Sequence, residues 1–182
     1  MDRSYRPLVL ALAGLGVFAA LFVLGGATGW WNAADNEQAI GEISRWCERV
    51  SGGILREPIN TLGNLGFIVS GLAMFVVLAR DTRAAKPRAN RFIGNQPVAL
   101  LYASAAVFLG PGSMVMHGSH TFFGAWIDNL SMVAYILIPW VFNLAVLGRW
   151  RDSVFFTVYG SVLGSYAVAY WALGSDLGIG LD

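Results

Sequence analysis

The sequence predicts an all-α integral membrane protein, a helical bundle with about five transmembrane helices in a single domain spanning residues 1–182. Composition is the first reason: 56% of the residues are apolar and only 13% are charged. The mean hydropathy of +0.58 is the second. Both values lie outside the usual range of soluble domains. The net charge of +1 provides no strongly basic surface, so we expect no nucleic acid as a partner.

Five apolar stretches are the third reason, because each approaches the roughly 20 residues that a helix needs to cross the hydrocarbon core. They cover residues 7–24, 60–79, 97–116, 126–147 and 153–173. Arg3 and Arg6 before the first stretch could also mark a signal peptide, but no clean small-residue cleavage motif follows, and we favour a retained helix. The only cysteine, Cys47, excludes an internal disulfide and a cysteine-based zinc site.

The charges outside these stretches predict the orientation of the bundle. If the helices alternate in direction, one side receives nine of the twelve basic residues, namely Arg3, Arg6, Arg80, Arg83, Lys86, Arg88, Arg91, Arg149 and Arg151. The positive-inside rule then predicts a cytoplasmic N-terminus. We expect a multi-pass protein of a bacterial cytoplasmic membrane. Tryptophans near the predicted helix ends are typical of interfacial anchors; these are Trp30, Trp31, Trp46, Trp126, Trp150 and Trp171.

Two polar clusters lie at the predicted outer ends of the helices, where buried polar groups are functional candidates because membrane burial is costly. The first contains Glu48, followed by Glu57, Asn60, Thr61 and Asn64. Pro58 predicts a helix start that places Glu57 at the N-cap, facing the positive end of the helix dipole. The two carboxylates could form a calcium site with backbone carbonyls. Alternatively, they are solvated loop acids, and the asparagines bond to neighbouring helices.

The second cluster contains Ser113, His117, His120 and Asp128. Ser113 and His117 are four residues apart and are therefore neighbours on a helix. We expect Asp128 to begin the next helix after a turn of about eight residues, level with His117. An imidazole beside a carboxylate or hydroxyl is typical of a metal site. For His120, which is closest to water, interfacial hydrogen bonding is the simpler interpretation.

At these residues the sequence resembles the alkaline ceramidase family, within the wider superfamily of seven-helix membrane hydrolases that also includes the adiponectin receptors. Trp46-Cys47-Glu48 resembles the Trp-Cys-Glu segment of the family. Glu57-x-x-Asn60-Thr61-x-x-Asn64 resembles the opening of its first core helix. Ser113-x-x-x-His117 followed by Asp128 is similar to the Ser, His and Asp spacing of the superfamily. The stretch 7–24 is an additional helix ahead of the family core.

The resemblance implies a zinc-dependent lipid amide hydrolase that acts on a membrane lipid, ceramide or a related long-chain amide. It implies that His117 is a ligand of Zn²⁺ and that Ser113 and Asp128 arrange the catalytic water. It also implies a Ca²⁺ site formed by the Trp46 carbonyl, Glu48 and Glu57. Val50 stands where the animal enzymes place an oxygen-bearing ligand, and the interval from Trp46 to Glu57 is shorter than in those enzymes, so calcium is the less secure of the two metals.

The family also carries a late helix with a His-x-x-x-His pair, whereas His117 and His120 are the only histidines in this sequence. We therefore expect residues 1–182 to be the N-terminal part of a seven-to-eight-helix fold that alone binds zinc weakly and hydrolyses amides negligibly. Two other hypotheses stay open. One is a serine hydrolase with Ser113 as nucleophile, His117 as base and Asp128 as orienter. The other is a non-catalytic receptor or scaffold in which the polar residues only join helices.

Overall fold

The computed structural model describes residues 2–29, 38–87 and 89–174, most of which lie in helices. Five helical spans are long and apolar enough to cross a membrane, which confirms the predicted all-α membrane bundle. Outside the helices, the described residues contain one isolated antiparallel bridge, between Ile43 and Arg49. The predicted anchors Trp30 and Trp31, and the basic residue Arg88, lie outside the described residues.

The first span is helix α1, Arg6–Thr28, which follows a short 3-10 turn, Arg3–Tyr5. It ends at Gly29, whose φ of 65° is the left-handed conformation that glycine readily adopts after a helix. Phe22 and Gly25 are its only buried residues. Most of the surface of α1 is therefore available to lipid.

The second span is divided into helix α2, Pro58–Gly63, and helix α3, Leu65–Arg83, which meet at Asn64. The single helix predicted over 60–79 thus begins two residues earlier and is interrupted. Pro58 occupies the first turn of α2, as predicted. At the interruption, Asn64 Nδ2 donates to the Asn60 carbonyl at 2.8 Å. The Asn64 side chain therefore satisfies a polar group of its own helix and does not reach a neighbouring one.

The remaining spans are α4, Pro97–Ser119, α5, Phe122–Leu147, and α6, Asp152–Leu173. Only His120 and Thr121 separate α4 from α5. His120 adopts a left-handed conformation with φ 50°, and the Thr121 hydroxyl caps α5 by accepting from Gly124 N at 3.0 Å. The predicted turn of about eight residues is wrong, because α4 continues past the predicted 97–116 and α5 begins before the predicted 126–147.

Helix α4 is the centre of the bundle, and glycines allow its neighbours to approach it closely. A Cβ at Gly112 would lie 2.5 Å from Ser131 Oγ of α5, and one at Gly71 of α3 would lie 2.6 Å from the Val107 backbone nitrogen of α4. Small residues at such contacts are typical of helix packing in membranes, where association depends on close van der Waals contact. The close approach to α5 brings Asp128 toward Ser113.

One end of the bundle, which we call the basic end, joins the N-terminus, the α3–α4 loop and the α5–α6 turn. Asn95 Nδ2 donates to the Ser4 carbonyl at 2.7 Å, and Arg91 donates to the Trp150 carbonyl at 3.0 Å. Asp2 lies 3.6 Å from Arg83. These contacts place the basic segments on one side of the bundle, as alternating helices require. That the basic end faces the cytoplasm stays a prediction.

Candidate functional site

The carboxylate of Glu57 is the centre of a buried cluster at the opposite end, which we call the polar end. Glu57 has no exposed surface. His117 Nδ1 contacts its Oε2 at 2.7 Å, and His120 Nε2 contacts its Oε1 at 2.9 Å. Asn60 Nδ2 also donates to Oε2, at 2.8 Å. Burying a carboxylate costs several kcal/mol unless it is hydrogen-bonded and paired, and these three partners offset that cost.

Backbone contacts hold Glu57 against the C-terminal end of α4. The N–H groups of Arg56 and Glu57 donate to the carbonyls of Gly118 and His117, at 3.0 and 2.9 Å. The last carbonyls of a helix have no partner within the helix, so these bonds satisfy groups that would otherwise be orphaned. The segment before α2 is thereby fixed at the height of the two histidines.

The interpretation of His120 as a residue near water is wrong. Its side chain is buried, and the left-handed turn after α4 directs it to the same carboxylate that His117 contacts. Desolvation by burial lowers the pKa of His120, which favours the neutral imidazole. A neutral ring protonated at Nε2 donates to Glu57. The sequence signal that both histidines contact one carboxylate is their spacing of three residues.

Trp46 covers the cluster with its indole ring. The ring packs edge-on against His117, with centroids 5.0 Å apart, and lies 6.1 Å from His120. Its carbonyl accepts from Asn60 Nδ2 at 3.3 Å. The sequence singled out the Trp46 carbonyl as a ligand and its ring as an interfacial anchor. Contact between the ring and both histidines was not predicted, because it depends on how the loop before α2 folds.

The side chain of Glu48, not that of Glu57, caps α2. Its two carboxylate oxygens accept from the backbone N–H groups of Ile59 and Asn60, each at 2.8 Å. Glu57 is the N-cap residue of α2, as predicted, but its side chain makes no capping bond, so the predicted contact of its carboxylate with the first N–H groups of the helix is wrong. The Glu48 carboxylate is stabilised by the unsatisfied N–H groups at the start of α2 and by the positive end of the helix dipole.

The three groups proposed as calcium ligands do converge, around Asn60. The Trp46 carbonyl, Glu48 and Glu57 each accept a hydrogen bond from the side chain or backbone of Asn60. Val50 is buried and joins the local backbone turn, where its N–H donates to the Glu42 carbonyl at 2.9 Å. Calcium binding stays a prediction, and it would require these oxygens to exchange their present partners for the ion.

Ser113 and Asp128 form the second part of the polar end. Asp128 lies in the second turn of α5, not at its start, because α5 already begins at Phe122. The Ser113 hydroxyl and the His117 ring both lie close enough to the Asp128 carboxyl to act on it. Among the described residues, Asp128 Oδ1 is buried without a hydrogen-bond partner. Ser113, His117 and Asp128 therefore lie near one another, but His117 Nδ1 contacts Glu57.

Some of the other polar residues predicted from the sequence belong to this site, and others only stabilise the local fold. Asn60 belongs to the cluster, whereas Asn64 bonds within its own helix. Thr61 is buried, and its hydroxyl donates to the Glu57 carbonyl at 2.6 Å. Within residues 2–29, 38–87 and 89–174, no three His, Cys, Asp or Glu side chains are arranged to hold a metal ion together.

No protein-family model matches the sequence, and no curated protein or solved structure is significantly similar to it.

Proposed function

We propose that this protein is a zinc-dependent hydrolase that cleaves a long-chain lipid amide, with ceramide as the substrate implied by the family resemblance. The proposal is carried by two buried acids at the polar end: the Glu57 carboxylate bonds to His117, and Asp128 Oδ1 has no hydrogen-bond partner among the described residues. Burying acids and histidines at a membrane boundary costs free energy, and residues buried there typically have a functional role.

Glu57 gives His117 the geometry of a metal ligand. When a carboxylate holds one ring nitrogen of a histidine, the other nitrogen is oriented and made more basic. Here Nδ1 is held at 2.7 Å, so Nε2 is the nitrogen left for a metal. Zinc, when bound, supplies Lewis acidity and lowers the pKa of water. In the proposed reaction Asp128 Oδ1 would accept a proton from the attacking water, and the Ser113 hydroxyl would orient that carboxyl.

The donor set fits part of a catalytic zinc shell. Such sites typically use three protein ligands. The described residues offer His117, with Asp128 and Ser113 beside it, and hold no complete three-ligand group. Because His117 is the zinc ligand and Asp128 and Ser113 act on the water, the proposal requires two more ligands from outside residues 2–29, 38–87 and 89–174.

The test compares zinc content and turnover of a fluorescent ceramide for residues 1–182 and for any longer product of the coding sequence. We expect the longer protein to lose activity with a zinc chelator and to regain it with zinc. His117→Ala should abolish zinc binding. Ser113→Ala should keep zinc but lower turnover, while Ser70→Ala, which removes a helical hydroxyl that donates to the Gly66 carbonyl of α3, serves as the control.

Three results would contradict the proposal or part of it. A stable acyl adduct on Ser113 would assign a serine hydrolase. Zinc binding without turnover of amides or esters would favour a receptor or scaffold. Stoichiometric zinc with full turnover in residues 1–182 would refute the expectation that these residues alone bind zinc weakly and hydrolyse amides negligibly.

A further inference from the structure

A second feature lies away from the polar end: a lipid-facing groove between α1 and α4, closed at its back by Phe75 of α3. Its volume is about 760 Å³. Arg3 and Arg6 line one end of the groove, and its other end reaches Phe18 and Pro111. Between these ends the lining is apolar except for Ser104, with residues such as Leu10, Leu100, Val107 and Phe108. The groove is therefore a long, mainly apolar channel with two cationic side chains at one end.

The length of the groove matches one leaflet. Arg6 and Phe18 are twelve residues apart on one helix, which corresponds to about 18 Å along the axis. The hydrocarbon core is about 30 Å thick. An acyl chain that starts at the level of Arg6 and follows α1 therefore ends near the middle of the membrane.

The two arginines are available to a ligand. Both are exposed, and neither pairs with a carboxylate among the described residues. Asp2, the nearest acid in sequence, accepts from Ser4 N at 3.0 Å and lies 3.6 Å from Arg83. The Asn95 side chain donates to the Ser4 carbonyl and so fixes the turn that carries Arg3. Guanidinium groups bind phosphate oxygens well because their planar N–H groups match them in geometry.

We propose that this groove binds an anionic diacyl phospholipid, with its phosphate at Arg3 and Arg6 and one acyl chain against α1 and α4. A zwitterionic lipid carries its own cation, which these arginines would repel. A second copy of the chain is a poorer occupant, since a symmetric contact would bring its arginines against the same pair. The proposal does not depend on hydrolysis at the polar end.

The test is native mass spectrometry of the delipidated protein, titrated with phosphatidylglycerol or phosphatidylcholine of identical acyl chains. We expect tighter binding of phosphatidylglycerol. Arg3→Gln with Arg6→Gln should weaken that binding by about fivefold per arginine, as a basic residue near a lipid surface contributes about that factor. Arg149→Gln with Arg151→Gln, which removes two exposed arginines of the same end outside the groove, should leave it unchanged.

A second pair of variants tests the acyl channel. Gly14 lines the groove and Gly16 does not, and a Cβ added at either would meet no heavy atom within 4 Å. Gly14→Phe should place a ring in the groove and block lipid binding, whereas Gly16→Phe should not affect it. Equal binding of the two lipids, an equal loss in the Arg149 and Arg151 variant, or unchanged binding in Gly14→Phe would overturn the proposal.

Two further results would assign the groove to another ligand. Complete displacement of phosphatidylglycerol by glycerol phosphate would show a simple anion site. A dimer that forms without lipid and is lost in Gly14→Phe would show that a second copy occupies the groove.

Discussion

The two ends of the bundle both bring acids and bases together, but they differ in exposure. At the polar end, Glu57 has no exposed surface and bonds to two buried histidines. At the basic end, the side chains of Arg83 and Asp2 are 70% and 46% exposed and lie 3.6 Å apart. Water already solvates the exposed pair, so their contact adds little, whereas the buried groups depend on one another. Buried hydrogen bonds to Glu57 thus stabilise the polar end, whereas the exposed ion pair contributes little to the basic end.

The largest expected effect concerns which end faces the cytoplasm, because labelling is all-or-none. Cys47 is the only cysteine and is exposed in the loop at the polar end. A membrane-impermeant maleimide should label Cys47 in spheroplasts without permeabilisation. A cysteine placed by Ala85→Cys at the basic end, in a Cys47→Ser background, should react only after permeabilisation. The reverse pattern would show that the basic end faces outward and that the positive-inside prediction fails here.

Removal of the Glu57 carboxylate should have the largest effect on stability. Glu57→Ala leaves both histidines and Asn60 without their shared partner, and we expect a loss of about 3 kcal/mol in the free energy of unfolding. Thermal unfolding of the purified protein in lipid nanodiscs measures this. Glu42→Ala removes an exposed carboxylate that bonds only to a nearby backbone N–H, and it serves as the control. Equal destabilisation by both variants would mean that burial does not distinguish the two sites.

The spans could be predicted from the sequence, whereas the site could be predicted only in part. A membrane helix satisfies its own backbone, so its length and apolar character identify it without tertiary information. The interruption at Asn64 and the short turn at His120 depend on caps and contacts that hydropathy does not encode. Helical spacing indicated that Ser113 and His117 share a face, but the partner of His117 lies 60 residues earlier in the chain. A pairing between residues so far apart in the sequence depends on how the helices pack together.

Loss of the Trp46 ring should have a smaller effect, confined to the polar end. Trp46→Ala removes ring contacts with both histidines, and we expect diethylpyrocarbonate to modify His117 and His120 about fivefold faster, equivalent to about 1 kcal/mol of lost contact. Peptide mass spectrometry measures the rates. Trp140→Ala, at an exposed position of α5, is the matched control. Unchanged rates in Trp46→Ala would show that the ring does not shield the cluster.

The smallest effect is expected at the basic end. Asp2→Asn removes the charge that faces Arg83, and the melting temperature should not change measurably, because exposed ion pairs are screened by water and salt. The nanodisc melting assay used for Glu57→Ala applies here as well. A decrease comparable to that of Glu57→Ala would remove the contrast between the two ends.

The long separation between Glu57 and its histidine partners, 60 and 63 residues, imposes an order on the biogenesis of the protein. When α2 and α3 enter the bilayer, α4 has not yet followed them, because it comes later in the chain. The Glu57 carboxylate then stays hydrated at the membrane surface, since dehydrating it without partners is costly. Insertion of the α4–α5 hairpin later supplies both imidazoles at once, because His117 and His120 flank the end of one helix. The hairpin therefore acts as the closing step of assembly, and its arrival, not the insertion of α2, dehydrates the acid.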